Sequence, residues 1–318
     1  MNKRDVMLSL LESDVSLPYV PAAFFMHFGP AYREGQAAID KHLAYFRKTD
    51  MDFVKIQYEK TFPPIPGIRT PGDWQHMPVY DEGFYEAPLE VVKGLVAAAK
   101  DEALVLVTLY SPFMCAGHTT SDALIAAHLE DDPERVNPGL AAITESLLIF
   151  VRACIRLGVD GFYASTQGGE AHRFAPSTPG SPGIFETYIK PYDLVLMEEI
   201  DAACPFNILH VCDYQGSYDD LTPVLDYPGN VVSCPLEVGG VELPPSAAAA
   251  SFGRPVMGGL DRHGVITSGD RSAIRARVQE VLSQAPKRFV LGADCTVPSE
   301  TSWDDLRLAV DTAHTWRR

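Results

Sequence analysis

The chain has 318 residues, 46% of them apolar, and a formal net charge of −16. That length fits one large α/β barrel or two ordinary domains, with apolar content enough for a sizeable core. So strong an acidic excess argues against nucleic acid and anionic membrane surfaces as partners, because both recruit basic patches. No charged-then-apolar leader opens the sequence, and no apolar run approaches the roughly 18 residues of a membrane span. The expectation is therefore a soluble, cytoplasmic protein. Six unclustered cysteines in a chain this long do not make a disulfide framework. Cys154, inside an apolar helical pattern, reads as a small buried hydrophobe.

Taken in order, short β-rich runs alternate with longer helical patterns. The runs are 22–27, 52–58, 103–110, 159–165, 206–212, 230–237, 254–260 and 288–295. Between them lie apolar residues spaced three and four apart: Ile39, Leu43 and Phe46; Leu89, Val92, Leu95 and Val96; and Leu140 through Cys154. Ile274, Val278, Val281 and Leu282 mark another helix, capped by Asp270. Ser302 to Asp305 reads as a capping box opening the last one. Eight strands, each followed by helix or loop, predict an α/β fold: a single (β/α)8 TIM barrel spanning 1–318. The stretch 61–86, rich in Pro and Gly, reads as a long loop after the second strand, suited to a lid. The 14 residues from Tyr214 to Tyr227 are short for a crossover.

In such barrels the chemistry gathers where strands end. His210 and Cys212 lie two apart at the end of one strand, so their side chains leave the same face. Cys295 ends the last strand. Two thiols and an imidazole suit a zinc ion that keeps one coordination position open. The fifth and eighth strands are not neighbours in a barrel, so the trio must meet near the centre of the mouth. The bland alternative for each is a packing residue. Cys115 and Cys234, also near strand ends, read as pocket lining. Asp213, Glu237 and Asp261 are candidates for a fourth ligand or for support of the ligands.

Phe24 to Tyr32 resembles the opening of the uroporphyrinogen decarboxylase family. Ile184 to Tyr192 is similar to that family's helix before its fifth strand, Val256 to Asp261 to its Gly-Asn-x-Asp strand end, and Leu291 to Thr301 to its last strand. Decarboxylases of the family carry Met-Arg-Gln-Ala-Gly-Arg-Tyr near the start. Here Met26 to Tyr32 lacks both arginines, which removes the charge-assisted partners of a tetra-anionic porphyrinogen. His210, Cys212 and Cys295 instead resemble the His-x-Cys and distant Cys of the family's zinc-dependent methyltransferases.

That resemblance implies a zinc enzyme moving a methyl group between a corrinoid held by a separate protein and a small-molecule thiol. It implies pocket walls or orienting groups at His27, Tyr58, Tyr110 and Glu237. Asp261, Arg262 and His263 do not form a corrinoid-binding Asp-x-His-x-x-Gly motif, because the glycine is misplaced. The competing expectation is a carboxy-lyase acting on a porphyrinogen or smaller acid. It would draw positive charge from Lys55, Arg33 and Arg173 and need no metal. A third is a barrel that binds a tetrapyrrole or small ligand without turning it over.

Overall fold

The structure is a computed structural model describing residues 2–14, 16–57, 60–174 and 182–317. Its strands are β1 (Phe53–Lys55), β2 (Leu104–Leu109), β3 (Gly161–Thr166), β4 (Ile208–Val211), β5 (Val231–Ser233), β6 (Glu237–Val238), β7 (Val241–Glu242), β8 (Val256–Leu260) and β9 (Phe289–Ala293). Seven of them form one curled parallel sheet in the order β1-β2-β3-β4-β5-β8-β9, and β6 pairs only with β7. All seven are buried along their length, which is why they read as unbroken apolar runs rather than alternating ones. Helices cover the outer face, and their apolar stripes are those spaced three and four apart in the sequence. Gly161 lets two strands approach: a Cβ there would lie 1.6 Å from the Phe206 carbonyl oxygen.

The first of the eight expected strands is not a ladder strand. Segment 22–26 touches β9 and the region beyond it through isolated parallel bridges, Ala22 to Leu291 and Met26 to Val297. On its other side the Ala22 carbonyl accepts from the Asp52 amide at 3.0 Å. Side chains replace the ladder there: the Ala22 amide donates to Asp52 Oδ2 at 2.7 Å and the Met26 amide to Gln57 Oε1 at 3.1 Å. With those amides already satisfied, no continuous pairing forms. The short connection from β4 to β5 contains one 3-10 turn, Thr222–Val224, and no α-helix.

Stretch 61–86 carries two 3-10 turns, Pro71–His76 and Glu82–Tyr85, and is pinned rather than lid-like. Trp74 is fully buried, and its indole N–H donates to His128 Nδ1 at 3.0 Å. Its ring lies so close to helix Pro133–Leu157 that a Cβ at Gly139 would come within 2.6 Å of it. Asp270 caps helix Arg271–Gln284 through the Ser272 and Ala273 amides. Ser302 makes no such bond to helix Trp303–Thr315. The Asp305 carboxylate accepts from Arg271 at 3.4 Å instead of closing the box.

Beneath the sheet, Asp193 is a buried carboxyl whose Oδ2 accepts from Thr166 Oγ1 at 2.6 Å and Tyr227 Oη at 3.1 Å. Its Oδ1 has no hydrogen-bond partner among the described residues. Burial pushes the carboxyl up from 3.8 to about 7, against the two hydroxyl bonds. The folded protein therefore holds a proton that the unfolded chain releases near the usual carboxylate value. Stability is greatest below that value and falls as pH rises from about 4 to about 7. Asp193→Asn is expected to flatten that slope and to exceed the parent in stability at pH 8 by on the order of 2 kcal/mol. Urea unfolding at pH 5 and pH 8 measures it; an equal effect at both would rule out the charge as the cause.

Candidate metal centre

His210 lies in β4 between two serines, opposite Ser165 of β3 and Ser233 of β5. Cys212 comes one residue after β4, and its amide still donates to the Thr166 carbonyl at 3.1 Å, extending the ladder's hold. Asp294, just before Cys295, is held in the same way by the Leu260 carbonyl at 2.9 Å. Strands β4 and β9 are separated in the sheet by β5 and β8, yet the curl brings their ends together. The donor atoms of His210, Cys212 and Cys295 all lie within 4.8 Å of one another. The three side chains are buried, at 2%, 5% and 6% exposure. This cluster can hold a metal ion.

Neighbouring groups aim each donor. Gln167 Nε2 donates to Cys212 Sγ at 3.3 Å, and Tyr218 Oη donates to the Cys212 carbonyl at 3.2 Å. The Ser233 hydroxyl lies 3.3 Å from His210 Nδ1. Cys212 and Cys295 are hydrogen-bonded to each other, which pushes their two thiols in opposite directions. The hydrogen bond from Cys212, and after it the neighbouring His210 and Arg262, push the Cys295 thiol well down. The same bond, with burial, pushes Cys212 up. A buried thiolate beside an imidazole is the state from which a metal most readily displaces protons.

One guanidinium ties both cysteine-bearing strand ends. Arg262 donates to Asp213 Oδ1 at 2.6 Å and to Asp294 Oδ2 at 2.8 Å, and its amide donates to Asp294 Oδ1 at 2.8 Å. Asp213 follows Cys212 and Asp294 precedes Cys295, so the brace fixes the two sulfurs relative to each other.

The trio opens into a cavity of ≈ 850 Å³. His27 and Tyr110 stand on its wall, as does His118, whose ring lies 5.3 Å from that of Tyr110. Tyr58 lies outside the described residues. Glu237 is not on the wall: it is exposed in β6, paired with Glu242 of β7. The reason is Pro235, which cannot donate a ladder hydrogen bond; β5 stops at Ser233 and the chain leaves the sheet. Asp261 is likewise exposed and accepts from the His263 amide at 2.8 Å in a turn. Cys115 and Cys234 are buried but do not line the cavity. Burial first, then the Asp213 charge, pushes the Cys234 thiol up to about 12.

Of the three cations a lyase would draw on, only Lys55 reaches the cavity, with its ammonium 4.3 Å from the Phe25 ring centroid and 4.8 Å from that of Tyr163. Arg33 is exposed and donates to the Phe28 carbonyl at 3.4 Å. Arg173 is bound by Glu170 and Asp122. Arg262, Ser233, Asp294 and His118 were not singled out by sequence reasoning. Only the place of Arg262 and Asp294 beside strand ends could have flagged them.

A family model described as uroporphyrinogen decarboxylase (URO-D) matches residues 51–316. Comparison with curated proteins finds no match. Among solved structures, a methyltransferase from Methanosarcina mazei superposes with a TM-score of 0.75 at 15% identity, covering 98% of each chain. A putative vitamin-B12 independent methionine synthase from Listeria monocytogenes gives a TM-score of 0.59 at 15% identity, covering 94% of this chain and 98% of the other. A beta-mannanase from the blue mussel Mytilus edulis gives 0.54 at 10% identity, covering 94% and 92%. At these identities the likeness is one of fold. No described helix is long and apolar enough to cross a membrane.

Proposed function

The chain belongs to the uroporphyrinogen decarboxylase (URO-D) family, and from that premise we propose that it is a zinc-dependent methyltransferase. It moves a methyl group between a corrinoid carried by a separate protein and a small thiol. The observation that carries this is the convergence of His210, Cys212 and Cys295 at the cavity floor. A spread of 4.8 Å closes onto bonds of about 2.0–2.3 Å with small rotamer changes, and one nitrogen with two sulfurs leaves a fourth position for substrate. The methyltransferase fold-neighbour from Methanosarcina mazei is in keeping with it. The bonds of segment 22–26 to both flanking strands support counting it as the eighth stave of a barrel.

Zinc bound there would supply the Lewis acidity that keeps a thiol deprotonated at neutral pH. The chain's own residues do the rest. Gln167 N–H draws charge from the Cys212 sulfur, and the Arg262 brace keeps the sulfur spacing fixed. His27, Tyr110 and His118 line the cavity into which the trio opens and would flank a bound thiol. The methyl group goes from cobalt to sulfur or back, with the bonding pair remaining on the group it leaves. A carboxy-lyase fits less well, because two of its three candidate cations do not line the cavity.

Metal analysis of the purified protein, followed by incubation with methylcobalamin and a panel of thiols, tests the proposal. One zinc per chain and a thiol-dependent change in the cobalt spectrum are expected. A metal-free protein that releases carbon dioxide from an acid would overturn it. Zinc without any spectral change would point to a binding module.

A further inference from the structure

His210 is held from behind by two hydroxyls. Ser233 faces it across the β4–β5 ladder, with Oγ 3.3 Å from Nδ1. Tyr163 of β3 sends its hydroxyl to the same oxygen at 3.3 Å. Its ring lies along the imidazole, with centroids 4.9 Å apart and planes inclined by 30°. Ser233 is 0% exposed and Tyr163 4%, so water does not substitute for either partner. A buried imidazole nitrogen left without a partner is destabilising. The partner it has decides which nitrogen remains for a metal.

A hydroxyl at this position differs from a carboxylate or a carbonyl because it both donates and accepts. With Nδ1 on Ser233, Nε2 is the nitrogen left for the two sulfurs. When the ring hydrogen sits on Nε2, Nδ1 accepts from Ser233. A metal at Nε2 requires the ring hydrogen at Nδ1, and Ser233 must then accept. Rotation of the serine hydroxyl serves both states, and the Tyr163 hydroxyl, also donor or acceptor, takes up the difference.

We propose that Ser233, backed by Tyr163, is the positioning residue of His210. It holds Nε2 toward the two cysteines and partners Nδ1 both before and after metal enters. This rests on His210, Cys212 and Cys295 being the metal ligands. Ser233 does not line the cavity, so its effect on the site passes through His210.

The test compares Ser233→Ala, Ser233→Thr and Tyr163→Phe, the last keeping the ring and deleting the hydroxyl. Zinc affinity is measured by competition with a chromophoric chelator, and the His210 ring nitrogens by nitrogen-15 NMR of the zinc-loaded protein. Ser233→Ala is expected to weaken zinc binding about 10–100-fold, Tyr163→Phe by less, and Ser233→Thr to keep near-parent affinity. A loss of zinc affinity in Ser233→Ala larger than its fall in metal-free melting temperature accounts for, and restored in Ser233→Thr, separates positioning from folding. The Nδ1–H signal should exchange slowly in the parent and rapidly in Ser233→Ala. Unchanged affinity in Ser233→Ala, or a Ser233→Thr variant as weak as Ser233→Ala, would overturn the proposal while leaving the metal centre intact. A parent protein that takes up no zinc would instead overturn the metal centre, and this proposal with it.

Discussion

Cys295→Ser is expected to weaken zinc binding by about two to three powers of ten. In structural zinc sites, binding of about 10–16 kcal/mol over four ligands gives each roughly 2.5–4 kcal/mol, and every 1.4 kcal/mol is tenfold in affinity. Serine is close to cysteine in size, so the fold around β9 should survive and the loss should fall on the metal alone. Cys212→Ser should behave alike, because both sulfurs sit at the same meeting point. Chelator competition gives the affinity, and the methylcobalamin assay should fall with it. Zinc held as tightly by Cys295→Ser as by the parent would remove this residue from the ligand set.

Arg262→Met should cost about 3–5 kcal/mol of stability, the usual effect of deleting one partner from a buried charge network. The side chains of Arg262, Asp213 and Asp294 are 14%, 18% and 9% exposed. Without the guanidinium, two carboxylates face each other with little water to screen them. Because they flank Cys212 and Cys295, their repulsion should also spread the sulfurs and loosen zinc. A triple variant that adds Asp213→Asn and Asp294→Asn should recover most of the stability, since it leaves no unpaired charge. Urea unfolding of the single and triple variants measures both effects. If the triple variant is no more stable than Arg262→Met, the loss comes from packing rather than from charge.

Much of the site was legible before any coordinates, for a simple reason. The period of two along a strand puts His210 and Cys212 on one face wherever that strand lies. The apolar spacing of the helices and the apolar runs of the strands marked the alternation of elements equally well. Other expectations failed on side-chain competition that no local pattern records. Asp52 and Gln57 satisfy backbone amides of segment 22–26 and keep it from becoming a ladder strand. Arg271 draws Asp305 away from the cap of the last helix. Trp74 anchors a stretch that composition alone marks as a free loop.

Glu237 shows the same limit from another side. The β-rich run 230–237 carried it to a strand end, but Pro235 ends the ladder before it arrives. The donor types, their strand-end placement and the acidic balance could be read from the chain alone, because each depends on residues close together in it. That Cys295 meets the other two across β5 and β8, and that Ser233, Gln167 and Arg262 aim the donors, emerged with the folded sheet. Those contacts arise from the curl of the sheet and from burial, which depend on the whole chain at once.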